Sequence, residues 1–127
     1  MKTFKPEGYN SVSPYMIVKD ADRMIQLLED IFYAKQVRRF DRPDGKIMHA
    51  EMKLDDSIIM LSEATDDYPQ NNTLLHVYVE NSDNTHQRAL SLGCEDRGKP
   101  QASEDDPDKR GMFMDFAGNL WAVSSQE

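Results

Sequence analysis

Three histidines, set among a few carboxylates and phenols, are where the chemistry of this 127-residue chain is to be sought. His49 and Glu51 stand two residues apart, so in an extended strand they share a face at a spacing of about 7 Å, which suits a shared ligand better than a direct pair. An imidazole titrates near neutral pH, and His49 beside a carboxylate is the best acid-base candidate. His76 precedes Tyr78 by the same interval. His49, Glu51 and His76 together could make a two-histidine, one-carboxylate metal triad, although there is no HExxH pair to support it. Cys94 is the only cysteine. It has no partner for a disulfide, no CxxC neighbour for zinc and no adjacent cation to lower its pKa, so nothing in the sequence marks it as a nucleophile.

What positions these side chains is a repeat. Val18-Lys19-Asp20-Ala21-Asp22 returns 61 residues later as Val79-Glu80-Asn81-Ser82-Asp83, each time at the passage from an apolar strand into an amphipathic helix. In the first copy, Ser11 to Val18 alternates as a strand, Asp20 is an N-cap, and Met24, Ile25, Leu28, Ile31 and Phe32 form one apolar helical stripe. Lys35 to Phe40, Ile47 to Leu54 and Ser57 to Ser62 follow as strands, with turns at Arg42-Pro43-Asp44-Gly45 and Asp55-Asp56. Residues 63 to 72 are polar and read as a linker. In the second copy, Thr73 to Glu80 is a strand, Ser82 caps a helix that runs to Leu92, and Gly93 stops it. Cys94 to Gly98 is a short strand, the Pro- and acid-rich stretch from Lys99 to Lys109 a mobile loop, and Gly111 to Met114 with Leu120 to Ser124 a hairpin. His86 matches Ile25 on the buried stripe and reads as a packing residue.

The expected fold is therefore α+β, two pseudo-symmetric βαβββ units forming a curved, barrel-like mixed sheet with a concave cleft. The whole chain is one domain on this reading, with halves at 11–62 and 73–125. Strand alternation sends Val12, Met16 and Val18, and likewise Leu75, Val77 and Val79, to the helix side, and Trp121 with them. The cleft side then receives Ser13, Tyr15 and Ile17 from the first strand, His49 and Glu51 from the third, Ser62 from the fourth, and His76 and Tyr78 from the fifth. Tyr15 and His76 occupy matching places in the repeat. Aromatic and aliphatic walls with a few polar tips make a small-molecule pocket.

Lys and Arg number 15 against 23 Asp and Glu, a formal charge of −8. That charge disfavours nucleic acid and anionic membranes and favours a cationic ligand. The opening residues lack the apolar run of a secretion signal, no stretch approaches a membrane span, and the single cysteine fits a reducing compartment, so a cytoplasmic location is expected.

Four motifs in order carry a family resemblance: Ser13-Pro14-Tyr15-Met16-Ile17-Val18-Lys19-Asp20, Asp44-Gly45-Lys46-Ile47-Met48-His49-Ala50-Glu51, Leu75-His76-Val77-Tyr78-Val79-Glu80, and Asp115-Phe116-Ala117-Gly118-Asn119-Leu120-Trp121. The chain resembles the vicinal oxygen chelate superfamily, the glyoxalase, bleomycin-resistance and dioxygenase group, and within it the PhnB-like subgroup. The resemblance implies a homodimer and a ligand cleft. In metal-using relatives the ligands come from four positions that here fall on Ser13, Leu74, Ala122 and either Met60 or Leu61. Those side chains offer one weak oxygen between them, so no metal and no other cofactor is expected. The resulting reading is metal-independent binding of a small organic molecule, as in sequestration of a drug or toxic metabolite, with no catalytic residue assigned. The alternative is a glyoxalase-like lyase or isomerase, or a dioxygenase, using a displaced metal at His49, Glu51 and His76. Sequence alone does not decide between binding and turnover, so the enzyme question stays open here.

Overall fold

The computed structural model describes residues 4–126. Its elements are β1 (Tyr15–Val18), α1 (Ala21–Phe32), β2 (Lys35–Asp41), β3 (Ile47–Leu54), β4 (Ser57–Glu63), β5 (Leu74–Tyr78), α2 (Ser82–Ser91), β6 (Glu95–Asp96), β7 (Gln101–Ser103), β8 (Asp106–Met114) and β9 (Leu120–Gln126). They fall into two compact units, Met1–Asn71 and Asn72–Glu127.

In the first unit the sheet order is β1-β4-β3-β2, with β1 parallel to β4 and the other pairs antiparallel. Helix α1 buries Ala21, Met24, Ile25, Leu28 and Ile31, its apolar stripe. These pack on the sheet face that carries Met16, Val18, Ala50, Met52, Ile59 and Leu61, all buried. The helix begins where Asp20 accepts the Arg23 N–H, and the carboxylate of Glu63, at the end of β4, accepts the N–H groups of Asp20 and Ala21 at 2.9 Å each. An anion at a helix N-terminus satisfies orphan donors and opposes the positive end of the dipole.

The second unit repeats the plan, with the order β5-β9-β8-β6 and β7 also on β8. Here α2 packs on β8 and β9 with small and polar groups, Ser82, Thr85, His86 and Ala89. Beneath them Phe113 and Trp121 stack at 6.4 Å. His86 is buried and hydrogen-bonded to Asp96 and the Met112 carbonyl, each at 3.1 Å, the satisfied packing histidine that its place on the stripe implies. The β8–β9 turn is organised by buried Asp115. It accepts the Trp121 indole N–H at 2.9 Å, the Ala117 N–H at 2.9 Å and the Asn119 N–H at 3.0 Å, while Asn119 in turn accepts from Thr73. That explains the Asp115-to-Trp121 motif as a structural one.

Three expectations change. β1 is shorter than the alternation suggests, and Val12 is 85% exposed instead of packed, because pairing with β4 starts only at Tyr15. Asn81, not Ser82, caps α2: its side chain accepts the Asn84 N–H, whereas Ser82 is buried against Ser125. Residues 99–109 are no loose loop, since β7 and the extended β8 form a hairpin through them and β8 pairs with β9 from Asp108 onward. Within the stretch 63–72, Asn71 accepts from the Ile17 N–H and donates to the Tyr15 carbonyl along the open edge of β1. Neither helix of the described residues is long and apolar enough to cross a membrane.

Candidate functional site

The face of the first sheet turned away from α1 gathers most of the residues singled out by alternation. Cross-strand register aligns Arg38, Glu51, Met60 and Tyr15 in one row, with Phe40 and His49 in the next. Ile17 pairs with Ser62 beside them, both half-buried. Glu51 is the centre of the group. It is only 3% exposed, yet charged partners and donors surround it. Tyr9 donates its hydroxyl to Oε1, Arg38 Nε lies 3.9 Å from the same oxygen, and His49 Nε2 lies 2.7 Å from Oε2. Burial, the largest single influence, would push the carboxyl up. The hydrogen bonds from Tyr9 and His49 and the charge of Arg38 together outweigh it and hold Glu51 below its ordinary value. The same bond pushes the Tyr9 phenol up.

His49 and Glu51 thus meet directly, contrary to the spacing argument. Backbone positions two apart are indeed separated by two rises, but the long side chains lean along the strand and close the gap. On its other side His49 faces Tyr15, with Nδ1 3.1 Å from the phenol oxygen and the rings 5.7 Å apart. An ionised carboxylate can only accept. With Glu51 accepting, His49 Nε2–H is the donor, and in that tautomer Nδ1 accepts from Tyr15. A depression of about 350 Å³ lies alongside, lined by Phe4, Lys5, Tyr9, Ser11, Ser13 and Met60 among others. Ser13 therefore lines this hollow without joining the hydrogen-bonded group.

The second unit holds its own group. His76 and Tyr78 share a face of β5, their rings edge to face at 4.7 Å. His76 Nε2 lies 2.8 Å from the buried Ser124 hydroxyl, which also accepts from Arg110 Nε at 3.1 Å. Tyr78 donates to Asp108 at 2.7 Å, and Arg110 and Gln126 complete that carboxylate's partners at 3.3 Å each. The Tyr78 hydroxyl foremost, with Gln126 and Arg110, holds Asp108 low against its burial, while the bond to Asp108 pushes the Tyr78 phenol up.

Sequence reasoning missed Tyr9, Arg38, Asp108, Arg110 and Ser124. Ser124 was findable from alternation, which sets it on the face opposite Trp121. Tyr9 was not, for it depends on the lead-in folding back to a residue 42 positions away.

The four metal-ligand positions resolve through the ladders. Ala122 pairs with His76 as Met60 pairs with Tyr15, so Met60, not Leu61, is its counterpart, and the repeat offset grows from 61 residues at the first strands to 62 at the last. Ser13, Leu74, Met60 and Ala122 do not fit a divalent ion. Among the described residues no three His, Cys, Asp or Glu side chains are grouped so as to hold one.

Comparison with known proteins agrees with this architecture. TioX from Micromonospora sp. ML1 superposes with a TM-score of 0.73 at 18% identity, over 92% of this chain and 100% of that one. The fold is the vicinal oxygen chelate fold. A fosfomycin resistance protein, FosX from Listeria monocytogenes, whose crystals contain Mn(II) and sulfate, gives a TM-score of 0.72 at 16% identity over 93% of this chain and 90% of that one. In sequence, the uncharacterized protein Mb0911c of Mycobacterium bovis is 29% identical over 129 residues, covering 89% of this chain and 81% of its own length. No family model matches the chain.

Proposed function

We propose that this chain binds a small organic molecule, without a metal, on the polar and aromatic sheet faces that carry Tyr15, Ile17, His49, Glu51 and Ser62 in one unit, with Ser13 in the adjoining hollow, and His76 and Tyr78 in the other. One observation supports this above the rest: Glu51 is a buried, ionised carboxylate that is fully partnered inside the protein, at the centre of a face of phenol, imidazole and thioether groups beside a 350 Å³ hollow. Such a face offers apolar area and a few fixed polar tips, the composition of ligand pockets. Relatives in fold include fosfomycin resistance proteins, which is in keeping with a role in sequestering a drug or toxic metabolite. The charge of −8 favours a cation. The two units are taken to act as one domain, in a cytoplasmic homodimer of the PhnB-like branch.

The test joins a thermal-shift screen against aromatic cations, thiols and 2-oxo aldehydes with elemental analysis of protein purified without chelator. A ligand that raises the melting temperature of metal-free protein, and loses its effect in Tyr15→Phe or His76→Ala, is the expected result. Stoichiometric Ni, Zn, Fe or Mn that disappears on replacing His49, Glu51 or His76 with Ala would overturn it in favour of a displaced metal site and a lyase, isomerase or dioxygenase activity.

A further inference from the structure

The hydrogen bonds of the first sheet face form a directed chain, and binding alone gives no use for it. Glu51 is buried and ionised, His49 Nε2 is locked on it at 2.7 Å, and His49 Nδ1 sits 3.1 Å from the Tyr15 oxygen. Tyr15 is the exposed end, at 37%. A buried carboxylate that fixes one imidazole nitrogen as a donor makes the other a stronger base and stabilises the imidazolium formed when that base is used. The groups around His49 are few: Glu51 on its own strand, Tyr15 from β1, Arg38 from β2 and Tyr9 from the lead-in, the last two acting on Glu51. Among the described residues its other same-face register neighbours, Phe40 and Met60, carry no charge.

We infer that Glu51, His49 and Tyr15 form a metal-free proton relay that gives this face general-base activity towards a weakly acidic C–H, O–H or S–H group of a bound organic molecule. Tyr15 Oη is the contacting atom. It takes the substrate proton while its own proton passes to His49 Nδ1, and the electron pair of the broken bond stays on the substrate. Glu51, the positioning residue, balances the imidazolium through Nε2–H. Reversal, or transfer to product or water, restores the neutral ring. The inference rests on the face being a ligand-binding one.

A reporter of base strength tests it without knowledge of the natural substrate. In 5-nitrobenzisoxazole, loss of the C3 proton breaks the N–O bond and releases coloured 2-cyano-4-nitrophenolate with no other reactant. Wild-type protein is expected to open the ring faster than His49→Gln and Tyr15→Phe by about 100-fold, the usual scale of a positioned base. Glu51→Gln is expected to displace the pH profile as well as lower the rate. Nitrogen-proton NMR of the imidazoles, with His49 assigned through its variant, is expected to show neutral His49 protonated at Nε2. A wild-type rate no greater than that of His49→Gln, a Tyr15→Phe rate equal to wild type, or a neutral His49 protonated at Nδ1 would each overturn the relay. Binding of the unreactive 3-methyl analogue to wild-type protein is measured in parallel by calorimetry. If it binds while the ring-opening rate stays flat, the relay fails and the binding reading stands; if it does not bind, the binding reading loses its support.

Discussion

Replacing Tyr9 by Phe removes one oxygen and nothing else, and it isolates how Glu51 is kept charged in a buried place. The hydroxyl is a charge-assisted donor to a carboxylate that is 3% exposed. Hydrogen bonds to charged groups contribute about 1.5–3 kcal/mol, and because Tyr9 itself is only half-buried the lower end applies, about 1.5 kcal/mol. For a chain of this length that lowers the melting temperature by roughly 5–8 °C. The pH dependence is the stricter check. Glu51 titrates below its ordinary 4.5 in the folded state, so its ionised form stabilises the protein fully above that value and the contribution disappears as pH falls through the folded value. Tyr9→Phe weakens one of the forces opposing burial, raising the folded value towards the unfolded one. The stability gap between wild type and variant is thus widest near neutrality and narrows below pH 4.5. Urea denaturation followed by far-ultraviolet circular dichroism at a series of pH values measures it. Equal stabilities at pH 7, or a gap that widens on acidification, would refute the account of Glu51.

Two further changes act on the backbone. Tyr33 closes α1 in the left-handed region at φ 58 with its side chain 70% exposed, so Tyr33→Gly should stabilise the protein by about 0.5–1 kcal/mol, read as a higher urea midpoint at unchanged slope. Gly111 on β8 lies under Pro100, and a Cβ there would meet the ring at 2.7 Å, so Gly111→Ala should destabilise by about 1–3 kcal/mol, visible as a lower midpoint in the same experiment.

The elements that the sequence makes legible are those whose own periodicity settles the matter. The stripe from Met24 to Ile31 can only be a half-buried helix, and the β3 and β4 runs have their turns written at Asp44-Gly45 and Asp55-Asp56. β8 is the opposite case. Asp106, Pro107 and Asp108 carry every mark of a solvated loop. They extend the strand because its partner β9 reaches to Gln126 and because Tyr78, Arg110 and Gln126 satisfy the Asp108 carboxylate. Tyr78 and Gln126 are remote in sequence, and local pattern holds no trace of them. The candidate face divides the same way. Alternation finds Tyr15, His49, Glu51, His76 and Tyr78, since period two is a property of the strand itself. Tyr9 depends on a fold-back, and the choice of Met60 over Leu61 depends on register, neither of which is encoded near the residue concerned.

The bond from Trp121 to Asp115 has an experimental use. Trp121 is the sole indole of the protein, 1% exposed, and it belongs to the second unit. Its emission will redden on exposure to water, so fluorescence follows the melting of that half alone, while circular dichroism follows both. Where the two signals diverge during denaturation, the halves come apart in separate steps; where they coincide, the duplicated modules rise and fall as one cooperative body.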